Sequence, residues 1–418
     1  MKLHRRSKNN NKPILRQILD LIPSHILRKS VRKFQTDKGC HKYKTYDQLV
    51  ALSFGQLAKC YTLSDISCGL SISSTFMIDL GIKQNPAKST MSDGNRQRDY
   101  RVFEDTYYQL ISHYRQTLTD KRDRQVIEEI KNETIKLIDS STVSLCLSLF
   151  DWAKFRTAKG GLKIHTVWDD TLGLPDCINI TEAKLHDSKG LETQIFPKGT
   201  IIVEDRAYFD FDLIKKRVDA KNVFVTRLKS NILYQSIEEL ELPDDKDQDI
   251  LKDELITFTS KEAKKAGLDG KIFRLVHVYK EDENKVIQIV TNQLDWQART
   301  IADLYKKRWD IEIFFKLIKQ NLQIKTFVGT SENGVKSQIF VALIVYLLLE
   351  LIRRVYCKNQ TAFSNFCEKV RICLLHYLSF AYICSINGKV QKVAKPPGKT
   401  LFDVDKLPVQ AELFTVFN

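Results

Sequence analysis

One stretch of the chain, DLYKKRWDIEIFFKLIKQN (residues 303–321), carries residue types that could act together on a phosphate group. Drawn as a helix at about 100° per residue, it places four polar side chains within an arc of about 60°, namely Tyr305, Arg308, Glu312 and Lys319. The two cations suit phosphate, because Arg offers a planar fork of donors and Lys a point charge. Periodicity alone favours an ordinary amphipathic helix by about three to one.

Two aspartates elsewhere strengthen the functional interpretation. Asp139 ends the β-branched run IKLID, and Asp205 ends the run GTIIVED. A strand that ends in a polar residue delivers it to the edge of a sheet, where α/β folds place their sites. Together with Glu312 they supply three hard oxygen ligands, which suit two Mg²⁺ or Mn²⁺ ions. Such a pair of ions can activate an attacking hydroxyl and steady the leaving oxygen.

Nearby titratable residues are weaker candidates. Glu204 adjoins Asp205 but faces the opposite side of a strand. Asp310 is roughly 160° away from Glu312 in helical projection. A lone histidine is more often structural, so we give His186 a chance of about one in four of touching the site.

The charge balance indicates a polyanionic partner. The 418 residues carry a net charge of +15, and nucleic acid is favoured by about two to one on this ground. Residues 1–46 hold thirteen Lys and Arg against two Asp, a net of +11. A short basic arm of this kind typically follows phosphates.

The sequence gives no sign of secretion or of a membrane. Its nine cysteines lack metal-binding spacing, which suits thiols in a reducing cytoplasm. The basic N-terminus is not followed by an apolar stretch, so no signal peptide is expected. The longest apolar run, Ile339–Leu349, has eleven residues and predicts a buried helix instead of a bilayer span.

Elements of different character divide the chain into five predicted parts. Helical spacing over 14–34 and 47–59, followed by two short helices that resemble a helix-turn-helix, predicts an all-helical DNA-binding domain. Strands in series and then a strand–helix crossover predict an α/β catalytic core. The predicted parts are a helical domain at 1–125, a first core part at 126–220, a β-rich insertion at 221–295, a second core part at 296–385 and a tail at 386–418.

The motifs resemble those of insertion-sequence transposases of the DDE class, in the subgroup marked by Tyr-x2-Arg-x3-Glu-x6-Lys. The four residues of 305–319 match that spacing at every step, and LIDSSTV and VEDRAYFD match the contexts of the two family aspartates. Residues 14–110 also resemble the small helical domain that heads many of these enzymes. The resemblance implies a ribonuclease-H-like core with an inserted β-rich subdomain behind an N-terminal all-helical domain.

The same resemblance implies a set of functional residues and partners. The catalytic and metal-binding residues would be Asp139, Asp205 and Glu312, with two Mg²⁺ or Mn²⁺ ions. The DNA-binding residues would be Tyr305, Arg308, Trp309 and Lys319. We expect Arg308 and Lys319 to meet the DNA backbone and not to organise the carboxylates. The implied reaction is cut-and-paste transposition by a homodimer that binds both the element ends and the target DNA.

One departure from the family pattern concerns base flipping. Relatives place a tryptophan in the insertion that stacks on a flipped base, whereas the equivalent strand here, VIQIVT, has Ile287. This departure puts the flipped-base step in doubt but leaves hydrolysis unaffected. Two other interpretations stay open: a DNA-binding protein of transposase descent that has lost catalysis, and a stand-alone nuclease on the same fold.

Overall fold

The computed structural model describes most of the chain and omits several segments. The described residues are 11–122, 126–145, 150, 152, 154–156, 159–191, 193–242, 249–357 and 361–385. The first ten residues of the predicted basic arm and the whole predicted tail at 386–418 lie outside them.

Seven helices form the N-terminal region, as the apolar spacing predicts. Pro23 separates the first two, because a proline cannot continue a helix from the preceding turn. Thr62 begins the fourth with a capping box, in which its hydroxyl accepts from the backbone N–H of Asp65. The helices are α1 (Ile14–Leu19), α2 (Ser24–Phe34), α3 (Thr45–Ala58), α4 (Leu63–Ser71), α5 (Ser74–Leu80), α6 (Lys88–Gln97) and α7 (Arg101–Asp120).

The middle of the chain forms a single ten-stranded sheet. In chain order the strands are β1 (Ile135–Leu145), β2 (Lys154–Arg156), β3 (Lys159–Asp169), β4 (Leu174–Glu182), β5 (Ile201–Glu204), β6 (Val223–Arg227), β7 (Tyr234–Glu239), β8 (Ile250–Phe258), β9 (Phe273–Lys280) and β10 (Lys285–Thr291). Their spatial order is β2-β3-β1-β5-β6-β10-β9-β8-β7, with β4 also paired to β3. The predicted β-rich insertion therefore continues the same sheet, because β10 pairs antiparallel with β6.

Parallel pairing is confined to the centre of the sheet. Strand β5 pairs parallel with β1 on one side and with β6 on the other, so three strands end at the same edge. All other neighbours are antiparallel. The fold is mixed α/β with a helical N-terminal region, as predicted.

The remaining helices pack on the sheet or on the N-terminal helices. They are α8 (Asp187–Gly190), α9 (Phe211–Asp219), α10 (Lys261–Lys265), α11 (Ala298–Lys307), α12 (Trp309–Asn321), α13 (Glu332–Tyr356), α14 (Phe363–Ile372) and α15 (Phe380–Ser385). The long apolar helix α13 meets the length and hydropathy of a membrane span, but 94% of its most apolar window is buried in the protein. It is a core helix, as its sequence predicts, and packs against α3, α6 and α7.

Alternate strand residues face two different cores. Leu137 of β1 and Val203 of β5 belong to the large apolar cluster that also contains α12, α13 and the N-terminal helices. Their neighbours Ile138 and Ile202 belong to a small cluster on the other face. This alternation sets which side chains at the strand ends reach α12.

Candidate active site

Asp139 and Asp205 lie side by side at the edge where the parallel strands end. Ile138 of β1 is in register with Glu204 of β5, and each aspartate is the next residue along its chain. Both have the parity of Leu137 and Val203, so both face α12. Asp205 follows the end of its strand as predicted. Asp139 does not, because β1 continues to Leu145 through antiparallel pairing with β3.

Glu312 reaches the same edge from the first turn of α12, which packs on β1. The predicted continuous helix is interrupted at Arg308. Its N–H donates to the carbonyl of Tyr305 at 3.2 Å, and its own carbonyl accepts from the N–H of Ile311 at 3.2 Å. These are i to i+3 bonds, which tighten the turn without ending the helical course. Tyr305, Arg308 and Glu312 thus stay on one side of the joined pair α11 and α12.

The guanidinium of Arg308 lies among the three carboxylates. Its Nη1 is 2.7 Å from Oε1 of Glu312 and 3.4 Å from Oδ2 of Asp139, and its Nε is 3.9 Å from Oδ2 of Asp205. The Arg308 side chain is only 12% exposed. This placement differs from the sequence expectation that Arg308 would leave the carboxylates alone, since a buried group of three acids needs a cation in the protein itself.

Burial dominates the electrostatics of this group. Desolvation raises the pKa of Asp139 to about 7; Arg308 lowers it in part, whereas Asp205 and Glu312 raise it further. Burial opposes the charge on Arg308, yet Tyr305 and the three carboxylates together leave its pKa raised. The site therefore favours a positive charge between its acids.

The donor set suits hard divalent cations, although the carboxylates surround a guanidinium. Among the described residues, no three His, Cys, Asp or Glu side chains already converge tightly enough to hold a metal ion. The guanidinium stands in for a cation, since its nitrogens contact the same oxygens that a metal would use. Three carboxylates from three separate elements, partly open to solvent, are the ligands that Mg²⁺ and Mn²⁺ take.

The other signature residues lie in different surroundings. The Tyr305 ring lies 5.7 Å from the Arg308 guanidinium carbon. Lys319 donates to Oγ of Ser141 and, at 3.0 Å, to the carbonyl of Thr142. Trp309 is 56% exposed, so it does not pack in the core and is available to a partner.

The structure also places the weaker candidates. Glu204 is buried on the opposite face of β5, 3.8 Å from Arg217 of α9, as strand parity predicts. Asp310 faces Arg122 at 3.8 Å and does not join Glu312. His165 is fully buried beside Thr181, with a pKa that desolvation lowers to about 4, so it is structural. Ile287 is buried as well and cannot stack on a base from β10.

Sequence reasoning missed Arg227 at this edge. It ends β6 in the position that follows the Glu204–Thr226 register pair, as Asp205 follows β5. The repeated pattern of an apolar strand ending in a charged residue, IIVED and VFVTR, was the signal that could have found it.

Comparison with known proteins assigns the family. The family model described as "Transposase DDE domain" matches residues 130–348, a range that includes the three carboxylates, Arg308 and Lys319. A second model, for a domain of unknown function, matches residues 10–83. The chain belongs to the DDE transposase family, and its class is that of a DNA-cleaving and strand-transferring enzyme. The resemblance inferred from the signature is confirmed.

Named relatives agree with this assignment. The chain is 30% identical over 272 residues to a transposase of Sinorhizobium fredii, which covers 65% of this chain and 72% of that protein. It is 29% identical over 265 residues to a transposase for insertion sequence element IS5377 of Geobacillus stearothermophilus, covering 63% and 69%. A piggyBac transposase synaptic complex with hairpin DNA aligns at 10% identity and a TM-score of 0.38, over 96% of this chain and 88% of that one.

Proposed function

We propose that this transposase cuts DNA at the ends of an insertion sequence and joins the freed 3′-hydroxyl to target DNA, using Asp139, Asp205 and Glu312 to hold two Mg²⁺ or Mn²⁺ ions. The observation that carries the proposal is the convergence of three carboxylates on one cationic group within 4 Å. These acids come from β1, the end of β5 and α12. Because nothing in the local sequence links them, their meeting supports a shared task.

The topology supports a ribonuclease-H-like core. Strands β4, β3 and β1 are neighbours in antiparallel order, and β5 and β6 follow parallel to β1 through the crossover helix α9. The antiparallel strands β7 to β10 extend this core beyond β6. That arrangement matches what the family resemblance implies for residues 126–295.

The protein residues have separable tasks in this scheme. Divalent ions, when bound, would supply the charge that activates the attacking hydroxyl and steadies the leaving oxygen. Asp139 and Asp205 fix one side of the ligand group from the sheet, and Glu312 fixes the other from α12. Arg308 must leave the carboxylates when the cations enter. Its fork is then free to bind a DNA phosphate with two parallel hydrogen bonds.

The DNA-contacting assignments extend from the same helix pair. Lys319 is half-buried and bonded to the β1 backbone, so it would hold a phosphate close to the ligand group. Exposed Trp309 offers a ring on which a base can stack. A homodimer on DNA and a cytoplasmic location follow from the family resemblance. The hairpin route of excision is left open, since Ile287 replaces the stacking tryptophan.

The test measures cleavage and binding separately on a duplex that carries one end of the element. Asp139→Asn, Asp205→Asn and Glu312→Gln should each abolish strand cleavage in Mg²⁺ and leave the affinity for the duplex within about two-fold. Asp303→Asn is a matched control, because Asp303 lies on α11 and pairs with Arg299 away from the three acids. Near-normal cleavage by the three variants would sink the assignment.

A further inference from the structure

A group of cations lies beside the three carboxylates but outside the signature helix. Arg206 directly follows Asp205, and Arg227 ends the neighbouring parallel strand β6. Arg227 has the parity of Val225, which lies in the same core cluster as Val203. Arg227 therefore faces the same side of the sheet as Asp205. Lys229 follows two residues later in the chain.

These cations differ from others on the same strands by having no acidic partner. Lys280 and Lys285, across β9 and β10, both pair with Glu283. In the part of the chain that the structure describes, neither Arg206 nor Arg227 has an ion pair, and Lys229 donates only to the carbonyl of Phe209, at 2.8 Å. An unpaired cation needs either water or an anionic ligand to balance its charge.

The positive charges crowd one another. The pKa of Lys285 is lowered by desolvation first and then by Arg227, Lys280 and Arg206. Arg227 also acts electrostatically on Tyr305 of the signature helix, together with Arg308 and Asp205. Arg206 and Arg227 are thus close to a common point between β10 and the carboxylate edge. A protein gains nothing in stability from such crowding, which suggests a role in binding a polyanion.

The same edge forms a small pocket of about 310 Å³. Its lining is His186, Arg206, Ala207, Lys229, Ser230 and Asn231, with no carboxylate among these described residues. Guanidinium, ammonium, hydroxyl and amide groups together offer the donors that phosphate oxygens accept. His186, a weak candidate from the sequence, therefore lies beside this pocket and not among the three acids.

We propose that Arg206, Arg227 and Lys229 form a phosphodiester-binding site that continues the DNA path from the carboxylates across the ends of β5 and β6. The inference rests on the proposed function, because it takes the carboxylate edge as the place where DNA is cut. The ligand is a DNA backbone phosphate, and it can belong to the element end or to the target duplex.

The experiment compares two duplexes of equal length in EDTA, one carrying the element end and one of unrelated sequence, so that binding is measured without catalysis. The double variant Arg206→Gln, Arg227→Gln should bind about ten-fold more weakly, with a salt slope shallower by one to two units, about one unit for each phosphate that is no longer neutralised. Lys198→Gln is the matched control, since Lys198 is exposed just before the opposite end of β5. Circular dichroism and the melting temperature verify that each variant is folded.

The outcomes separate the possibilities. Weaker binding of the element-end duplex alone supports the site and assigns it to the element end. Weaker binding of both duplexes supports it and assigns it to a backbone interaction that any DNA makes, as target DNA requires. Affinity and salt slope equal to those of the Lys198→Gln control, with both duplexes, overturn the proposal. Failure of the proposed function would show differently, as normal cleavage by Asp139→Asn.

Discussion

Replacing Arg308 by methionine removes the cation between the three acids while keeping most of the side-chain volume. Removing one partner of a fully buried ion pair costs about 3–5 kcal/mol. The partners here are 16%, 30% and 34% exposed for Asp139, Asp205 and Glu312, so solvent screens part of this cost. We expect Arg308→Met to lower the free energy of unfolding without metal by about 1–3 kcal/mol.

The same substitution should tighten metal binding. In the wild-type protein an entering ion must displace the guanidinium from the three carboxylates, which costs the roughly 1–3 kcal/mol that this interaction contributes. Without that competitor, the dissociation constant for Mn²⁺ should fall by about 10- to 100-fold. Because a ligand stabilises the state it binds, saturating Mn²⁺ should recover most of the stability that the substitution removes.

The assay is calorimetric titration of Mn²⁺ without DNA, combined with urea unfolding at zero and saturating Mn²⁺. Lys316→Met is the matched control, since Lys316 is exposed on the same helix and has no ion pair among the described residues. The control should change neither quantity. An Arg308→Met variant whose Mn²⁺ affinity equals or falls below that of the wild type would show that Arg308 helps to organise the carboxylates for metal. The expected competition between Arg308 and metal would then be wrong.

Three further predictions concern the fold and the N-terminal helices. Burial raises the pKa of Glu204 from its usual 4.5 to about 7, so the folded protein holds this proton longer than the unfolded chain and loses up to about 3 kcal/mol as pH rises from 4.5 to 7; Glu204→Gln should remove that part of the slope in urea unfolding. Gly190→Ala should lower the melting temperature, at a cost of about 1–3 kcal/mol, because the added Cβ would lie 2.2 Å from the buried His165 ring, whereas Gly199→Ala, where the surroundings are open, should cost mainly through its positive φ. Neutralising the exposed cations of α2 should weaken DNA binding with a salt slope shallower by about one unit for each phosphate released, and an unchanged slope would place the DNA elsewhere; these cations are Arg28, Lys29 and Arg32.

Most of the elements, and the kind of chemistry, could be predicted from the sequence. Helical periodicity, Pro23 and the Thr62 cap act over a few residues, so the N-terminal helices could be predicted locally. The run Ile339–Leu349 was correctly predicted as buried, since eleven apolar residues are too few for a bilayer and suit a core. The signature spacing identified the family, because it fixes which side chains share one helix face.

Strand alternation was informative as well, within limits. It correctly put Glu204 on the face opposite Asp205, because side chains alternate along any strand. It did not show that β1 continues beyond Asp139, since that depends on pairing with β3. Nor did it show that the strands of 221–295 join the central sheet, which depends on β10 pairing with β6.

The positions of the charges relative to one another depend on tertiary packing. The position of Arg308 depends on the distance between the edge of the sheet and α12, and neither segment contains that distance in its own sequence. Whether a cation such as Arg206 or Arg227 meets an acid depends likewise on which acids fold near it, as Glu283 does near Lys280 and Lys285. Local sequence thus sets which groups can ionise and which way they point along an element. Packing between elements sets which charges meet, because electrostatic energy depends on distances that only the folded chain defines.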